Sequence, residues 1–375
     1  MLKPLALLSL AVIALSAACS SGGDDESATP TPQVLNLKVG IVQSSTGAAS
    51  IYGKTASNGI ELAIKQLESS GLQIDAIVVD DQSTVDGGTA AFNRLAGEKV
   101  NAIIGPTLSN VALAAFKVSQ EKGIPAIGAT TTADGVTTAG DQIFRTALGE
   151  NTVVPPVLAY VNGKTPIKNA VLIFDSTDAF SAGSAAAMRK GMQAINGKIG
   201  VEVDISKTSD VMGSIVRGTG DPIDAFLVTP LINQSGPIVK SIRDAGFKQA
   251  IVGGNSFNTL DLIAASGGAV NGAYVGAAWN PAVDRPASKK FVADYTAAYG
   301  TPPDLFAAQG YAAVEVLVAA AKKAGSADNA AIRTALTSTK DVETIFGKIS
   351  MNSTREAEYA PVVQQFQDGK LSVVK

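Results

Sequence analysis

The stretch VNAIIGPTLSN, Val100 to Asn110, decides the architecture. Val100, Ala102, Ile103 and Ile104 make an apolar run of the length expected for a parallel strand buried on both faces. Gly105-Pro106 ends it, because proline has no N–H to give to a ladder and glycine permits a sharp turn. Thr107 and Ser109 then precede VALAAFKVSQEKG, whose apolar residues recur at helical spacing until Gly123. A strand, a tight turn and a hydroxyl-rich helix start are therefore predicted in succession. The unpaired N–H groups of a helix start suit an anion such as a carboxylate. Ser109 equally suits an ordinary helix cap. The stretch alone leaves both readings open.

Working outward, the same unit repeats. Val34 to Val42 reads as a strand, and a helix follows with Ile60, Leu62, Ala63, Ile64 and Leu67 on one side. Ile74 to Val79 is a strand ending at Asp80-Asp81, Gly88 to Glu98 a helix, and Ile124 to Ile127 and Ile143 to Arg145 further strands. After Arg145 the alternation begins again. Strands are predicted at Ala170–Phe174, Val201–Ile205, Ala225–Val228 and Ile251–Val252, with helices at Ala179–Ala194 and Gly236–Ala245. Val275 to Trp279 reads as a crossing segment. Lys289–Tyr299, Leu305–Ala324 and Ala327–Leu336 follow as helices, and Val362–Val373 as a hairpin around Asp368-Gly369. Strand–helix alternation with short connections predicts α/β lobes with parallel sheets. Two such runs predict two Rossmann-like lobes, with ligand held in the cleft at the carboxyl ends of the strands.

Composition narrows the chemistry. The 375 residues suffice for two domains with real cores, and 46% hydrophobic against 17% charged residues describes a packed chain rather than a disordered one. The net charge of −3 is interspersed, without the basic face that nucleic acid requires. There is no histidine, and Cys19 is the only cysteine. That removes histidine triads, Cys–His nucleophiles, most zinc sites and disulfides. Any enzyme here would have to work with carboxylates, lysine, tyrosine or hydroxyls alone, so no enzyme is expected, and no metal or cofactor. AASIYGKT at Ala48–Thr55 imitates a phosphate loop, but Gly47 lies one place too early for the required spacing. Lys54 is read as a solvated helix residue, and Asp80-Asp81 as capping the turn after their strand.

The first residues are an address. Lys3 precedes LALLSLAVIALSAAC, too short for a stable spanning helix, with small residues Ser16, Ala17 and Ala18 before Cys19. Residues 1–18 are read as a lipoprotein signal peptide, Cys19 as the lipidated residue, and 19–36 as a flexible tether. The protein is thus expected outside the cytoplasm, held to the cell membrane through an N-terminal lipid.

With these residues in hand, the chain resembles a type I periplasmic binding protein of the leucine/isoleucine/valine-binding family that serves ABC transporters. KVGIV…STGAASIYG, the acidic VVDD, AIIGPTLS, GIPAIGATTT and IFRT stand in the family's order and spacing. The resemblance implies lobe one at 37–147 plus 279–345 and lobe two at 148–278 plus 346–375. Three strands would form the hinge, crossing near Arg145–Glu150, Val275–Trp279 and Ile345–Ser350. It further implies that Ser109, Thr130 and Thr132 grip a ligand carboxylate and that Tyr52 flanks the ligand. In lobe two the implied positions are Phe180, where amino-acid binders place tyrosine, Leu231, where they place a second aromatic, and Asn255, where they place the acid that meets the ligand ammonium. An amide supplies no counter-charge, so either Asp178 or Asp175 meets the ammonium or the ligand has none. The implied function is capture of a small carboxylate-bearing ligand by a monomer and delivery to an ABC permease. The alternative is a ligand sensor or interaction lipoprotein on the same scaffold.

Overall fold

The computed structural model describes residues 34–374, apart from 69, 70 and 219. The leader, Cys19 and nearly all of the tether lie outside the described residues. The chain runs β1 (Leu35–Gln43), α1 (Ser50–Leu67), β2 (Leu72–Asp80), α2 (Val85–Gly97), β3 (Ala102–Ile104), α3 (Ser109–Lys122), β4 (Ala126–Gly128) and β5 (Ile143–Arg145). It continues through α4 (Glu150–Lys164), β6 (Asn169–Phe174), α5 (Ala179–Ala194), β7 (Lys198–Asp204), α6 (Val211–Gly218), β8 (Ala225–Val228), α7 (Ile232–Asp244), β9 (Ala250–Gly253), α8 (Asp261–Ala265) and β10 (Tyr274–Ala277). The last part holds α9 (Pro286–Tyr299), α10 (Leu305–Ala324), α11 (Asn329–Thr337), β11 (Val342–Thr344), β12 (Gly347–Met351), β13 (Ala357–Glu358), β14 (Val362–Gln367) and β15 (Lys370–Val373).

Two sheets result. The first is wholly parallel in the order β2-β1-β3-β4-β5. The second has the order β15-β14-β10-β9-β8-β6-β7, parallel from β10 to β7, with β14 antiparallel to both β10 and β15. These are the two α/β lobes expected. Gly105 makes the turn after β3: its φ is +122°, and a Cβ there would stand 1.9 Å from the Val42 carbonyl oxygen. Only glycine fits that approach of strand end to strand end.

The chain passes from the first lobe to the second between β5 and α4, and returns between β10 and α9. Back in the first lobe, the Tyr299 hydroxyl donates to the Asn58 carbonyl at 2.9 Å. The third passage lies further along than the sequence places it. Ile345–Ser350 belongs to a small antiparallel sheet, β11-β12-β13, attached to the first lobe. The Ile345 N–H donates to Glu315 on α10 at 2.9 Å, and Arg355 Nε to the Ile143 carbonyl at 3.0 Å. The chain leaves for the last time only between Glu358 and Val362. The resemblance implied the earlier crossing, and strands this short carry no period-2 signal that would correct it.

One other element departs from expectation. Helix α4 carries Pro155 and Pro156 in its interior, where each removes a backbone bond. It forms because Val153, Val154, Val157, Leu158 and Val161 are buried, outweighing the break.

Helices α1 and α10 pack at glycine. A Cβ at Gly59 would lie 1.9 Å from the Ala307 carbonyl oxygen, and one at Gly310 2.3 Å from that of Ala56. Backbone on both sides leaves nothing to rotate away. Gly59→Ala should therefore cost about 3 kcal/mol, at the upper end of overpacking effects. Gly97→Ala in α2, where a Cβ meets nothing within 4 Å, should be neutral or slightly stabilising. Urea unfolding of the two variants side by side checks this, and equal stabilities would refute the tight helix contact.

Candidate ligand-binding cleft

The strand ends of the first lobe build one wall from loops that hold each other. The Thr107 hydroxyl donates to Gln43 Oε1 at 2.8 Å and accepts the Ser44 N–H at 2.9 Å. Asp80 accepts the Ser45 N–H at 2.9 Å, and Asp81 the Ser44 hydroxyl at 2.6 Å. The paired acids thus tie the turn after their strand to the turn after β1. Lys54 is exposed on α1.

Ser109 opens α3, but its side chain caps nothing: the N-cap is Leu108, with no side-chain bond. Instead Ser109 Oγ accepts the N–H groups of Thr132 and Ala133 at 3.3 and 3.2 Å, joining the helix start to the loop after β4. Its own hydrogen is left to donate. Thr130 donates to the Thr107 carbonyl at 2.8 Å, while Thr132 Oγ1 has no well-formed partner among the described residues. The first N–H groups of α3 likewise have no intrahelical acceptor.

The second lobe faces this wall. Tyr52 spans the gap, its hydroxyl accepting the N–H of Ile232 at the start of α7 at 2.8 Å. Its ring meets Phe306 at 4.6 Å between centroids. Burial and that enclosure push the Tyr52 phenol far above its ordinary pKa, so it stays neutral and can donate its proton. Tyr52, Ser109, Thr130, Thr132, Phe180, Leu231 and Asn255 all line one cleft, joined by Thr107, Leu108, Ser256 and Phe306. The space between their atoms is about 310 Å³, solvent at the mouth included. The sequence had not singled out Phe306. Its one signal was the Asp304 cap just before it, whose carboxylate accepts the Ala307 N–H at 2.9 Å.

No carboxylate lines the cleft among the described residues. Asp178 and Asp175 are not on the lining. Asp178 caps α5 through the Ser181 N–H at 2.8 Å. Asp175 closes its own turn on Thr177 at 2.9 Å and receives Gln234 at 3.2 Å. The surface offers hydroxyl, amide and backbone donors over an apolar floor. It can hold an anion or a neutral oxygen, and has nothing placed to neutralise a cation.

An acid missed in the sequence lies just behind the lining. Glu150, the first residue of α4, is 1% exposed, and its N–H donates to the Thr132 carbonyl at 3.2 Å. Burial pushes its carboxyl up to about 7, against the pull of Ser184, Thr132, the Asn255 N–H and Arg145. None of these contacts closes to full hydrogen-bond geometry; both carboxylate oxygens and Ser184 Oγ lack a well-formed bond among the described residues. As a lone acid outside any motif, Glu150 gave no signal.

A sequence profile described as periplasmic binding protein matches residues 36–370, and the chain belongs to that family. It is 27% identical over 328 residues to the Leu/Ile/Val-binding protein BraC3 of Rhizobium johnstonii, covering 85% of this chain and 88% of that one. It matches the branched-chain amino acid transporter substrate binding protein LivJ of Streptococcus pneumoniae, solved with isoleucine, at a TM-score of 0.83. That match has 26% identity over 91% of this chain and 99% of that one. A solute binding protein of an ABC transporter from R. palustris, solved with benzoate, gives 0.80 at 23% identity, covering 90% and 95%. The fold is that of the type I periplasmic binding proteins.

The buried acids set a pH dependence. A carboxyl raised from 4.5 to about 7 keeps in the folded state a proton that the unfolded chain has released. Stability from Glu150 is therefore full below its unfolded pKa and lost as pH rises through about 7, by an amount on the order of 3 kcal/mol. Asp304, raised to about 7, and Glu315, raised to about 8, act in the same direction. The melting temperature should fall between about pH 5 and about pH 8, and Glu150→Gln should flatten part of that fall. An unchanged slope in the variant would assign the effect elsewhere.

Proposed function

We propose that this chain is an extracytoplasmic solute-binding lipoprotein, anchored through Cys19, that captures a small carboxylate-bearing ligand and delivers it to an ABC importer. Lobe one binds first, and lobe two closes by bending at the crossings. The observation that carries the reading is the cluster at the strand ends. The Ser109 hydroxyl, the Thr132 hydroxyl and the start of α3 converge as donors on one cleft whose lining holds no acid. Charge-assisted bonds from such donors hold a carboxylate. The transporter partner is supported by the family and by the named relatives. The two ligands in the solved neighbours, isoleucine and benzoate, have a carboxylate in common and differ in the ammonium. Tyr52, Thr130, Phe180, Leu231 and Asn255 are proposed to complete the site. The protein acts as a monomer and makes or breaks no covalent bond.

Thermal denaturation against amino acids, their deaminated analogues, aromatic acids and short amides tests the proposal. A ligand at about 100 times its Kd adds about 2.7 kcal/mol to folded-state stability and raises the melting temperature by several degrees. Ser109→Ala with Thr132→Ala should weaken a carboxylate hit by about 100-fold or more, since each charge-assisted bond contributes about 1.5–3 kcal/mol. A well-folded protein that no carboxylate stabilises would rule the import reading out.

A further inference from the structure

Asn255 does not stand alone on the second-lobe wall. It ends a row of four buried amides, Asn255, Asn258, Gln364 and Asn280, each 5% exposed or less. The row starts from backbone. Asn280, just after β10, accepts the Ala282 N–H on its Oδ1 at 2.8 Å and donates from its Nδ2 to the Leu371 carbonyl at 2.9 Å. Those two partners admit one orientation, because a backbone N–H must meet oxygen and a carbonyl must meet nitrogen. The same Nδ2 donates to Gln364 Oε1 at 2.5 Å, which turns Gln364 Nε2 toward Asn258 Oδ1, also at 2.5 Å. Asn258 Nδ2 is then held twice, by the Gly276 carbonyl at 3.1 Å and by Asn255 Oδ1 at 3.0 Å. Every amide points the same way, and backbone contacts at both Asn280 and Asn258 enforce it.

The last link carries the consequence. The oxygen of Asn255 is turned into the row by Asn258, so the group this side chain turns away from the row is its Nδ2, a donor. Thr132 and Asn255 line the same cleft, which places the Asn255 amide within reach of a ligand held by the first-lobe donors. We infer that the ligand bears an oxygen acceptor next to its carboxylate, as in a 2-oxo or 2-hydroxy acid, in place of the ammonium of a 2-amino acid. Asn258, Gln364 and Asn280 are the positioning residues that set this preference. An ammonium there would meet the Nδ2 donor with no carboxylate on the lining to offset its charge, a buried mismatch that costs more than an unmade contact.

This inference rests on the proposed carboxylate site, and the test separates the two. Binding of the purified protein is measured by calorimetry for two matched series. One is leucine, 4-methyl-2-oxopentanoate, 2-hydroxy-4-methylpentanoate and 4-methylpentanoate; the other is phenylalanine, phenylpyruvate, phenyllactate and 3-phenylpropanoate. In the series that fits the cleft, the oxo or hydroxy acid should bind about tenfold or more tighter than the amino acid. Asn255→Asp, which places an anion where the donor stood, should reverse that ratio. Asn258→Leu removes the donor that holds Asn255 Oδ1 and should bring the ratio toward one, whereas a merely structural role would weaken every member alike. An amino acid that binds as tightly as its oxo analogue, or a ratio unmoved by Asn255→Asp, overturns the inference and leaves the carboxylate site standing. No binding by any member of either series overturns both.

Discussion

A guanidinium buried at the seam between the lobes governs how the rest is arranged. Arg145 is 3% exposed at the end of β5, where the chain first leaves the first lobe. Its Nη1 donates to the Ala133 carbonyl at 2.7 Å and its Nη2 to Glu356 at 2.5 Å. Burial lowers its pKa, and Glu356 opposes that shift. One side chain thus fixes the loop carrying Thr130 and Thr132, the first crossing, and the segment before the last crossing. A charge without these partners would be strongly destabilising in such a place. The site is therefore held by the same contact that holds the hinge.

The cleft itself is polarised by what its groups already do. Ser109 accepts two N–H groups and keeps its proton to give; Tyr52 accepts one and does the same. Asn255 turns its oxygen to Asn258 and away from the cleft donors. Each side chain, taken alone, could donate or accept. Their fixed neighbours bias these three toward donating, while Thr130 and Ser256, whose protons go to the Thr107 and Pro230 carbonyls, are left to accept on the same surface. Glu150 lies behind that surface and does not open to it.

Much of this was legible in sequence because it is periodic or local. Helices α5 and α10 and strand β8 stand at the predicted bounds, since their apolar residues recur at 3.6 or run continuously. Of the first-lobe wall, Ser109 was legible from the turn that ends its strand, whereas Thr130 and Thr132 stood out only through the family resemblance. What escaped depends on tertiary contact. Helix α4 was hidden by Pro155 and Pro156, whose local cost only its buried valines offset. The amide row escaped because 255, 258, 280 and 364 share no spacing, and only packing brings them into line. Glu150 was silent for the same reason, and Phe306 was marked only by the Asp304 cap before it.

The glycine-mediated seat of α10 on α1 joins segments about 250 positions apart in the chain, as the Thr55 hydroxyl bonded to Asp304 also shows. The first lobe is consequently not a unit that can be completed as it is synthesised. Until α10 arrives, α1 has an open groove where its partner belongs, and the parallel sheet beneath it lacks part of its cover. Non-local closure of this kind slows folding, because the loop entropy is spent before the contact returns anything. A chain that must be threaded through a membrane before it folds has use for that delay.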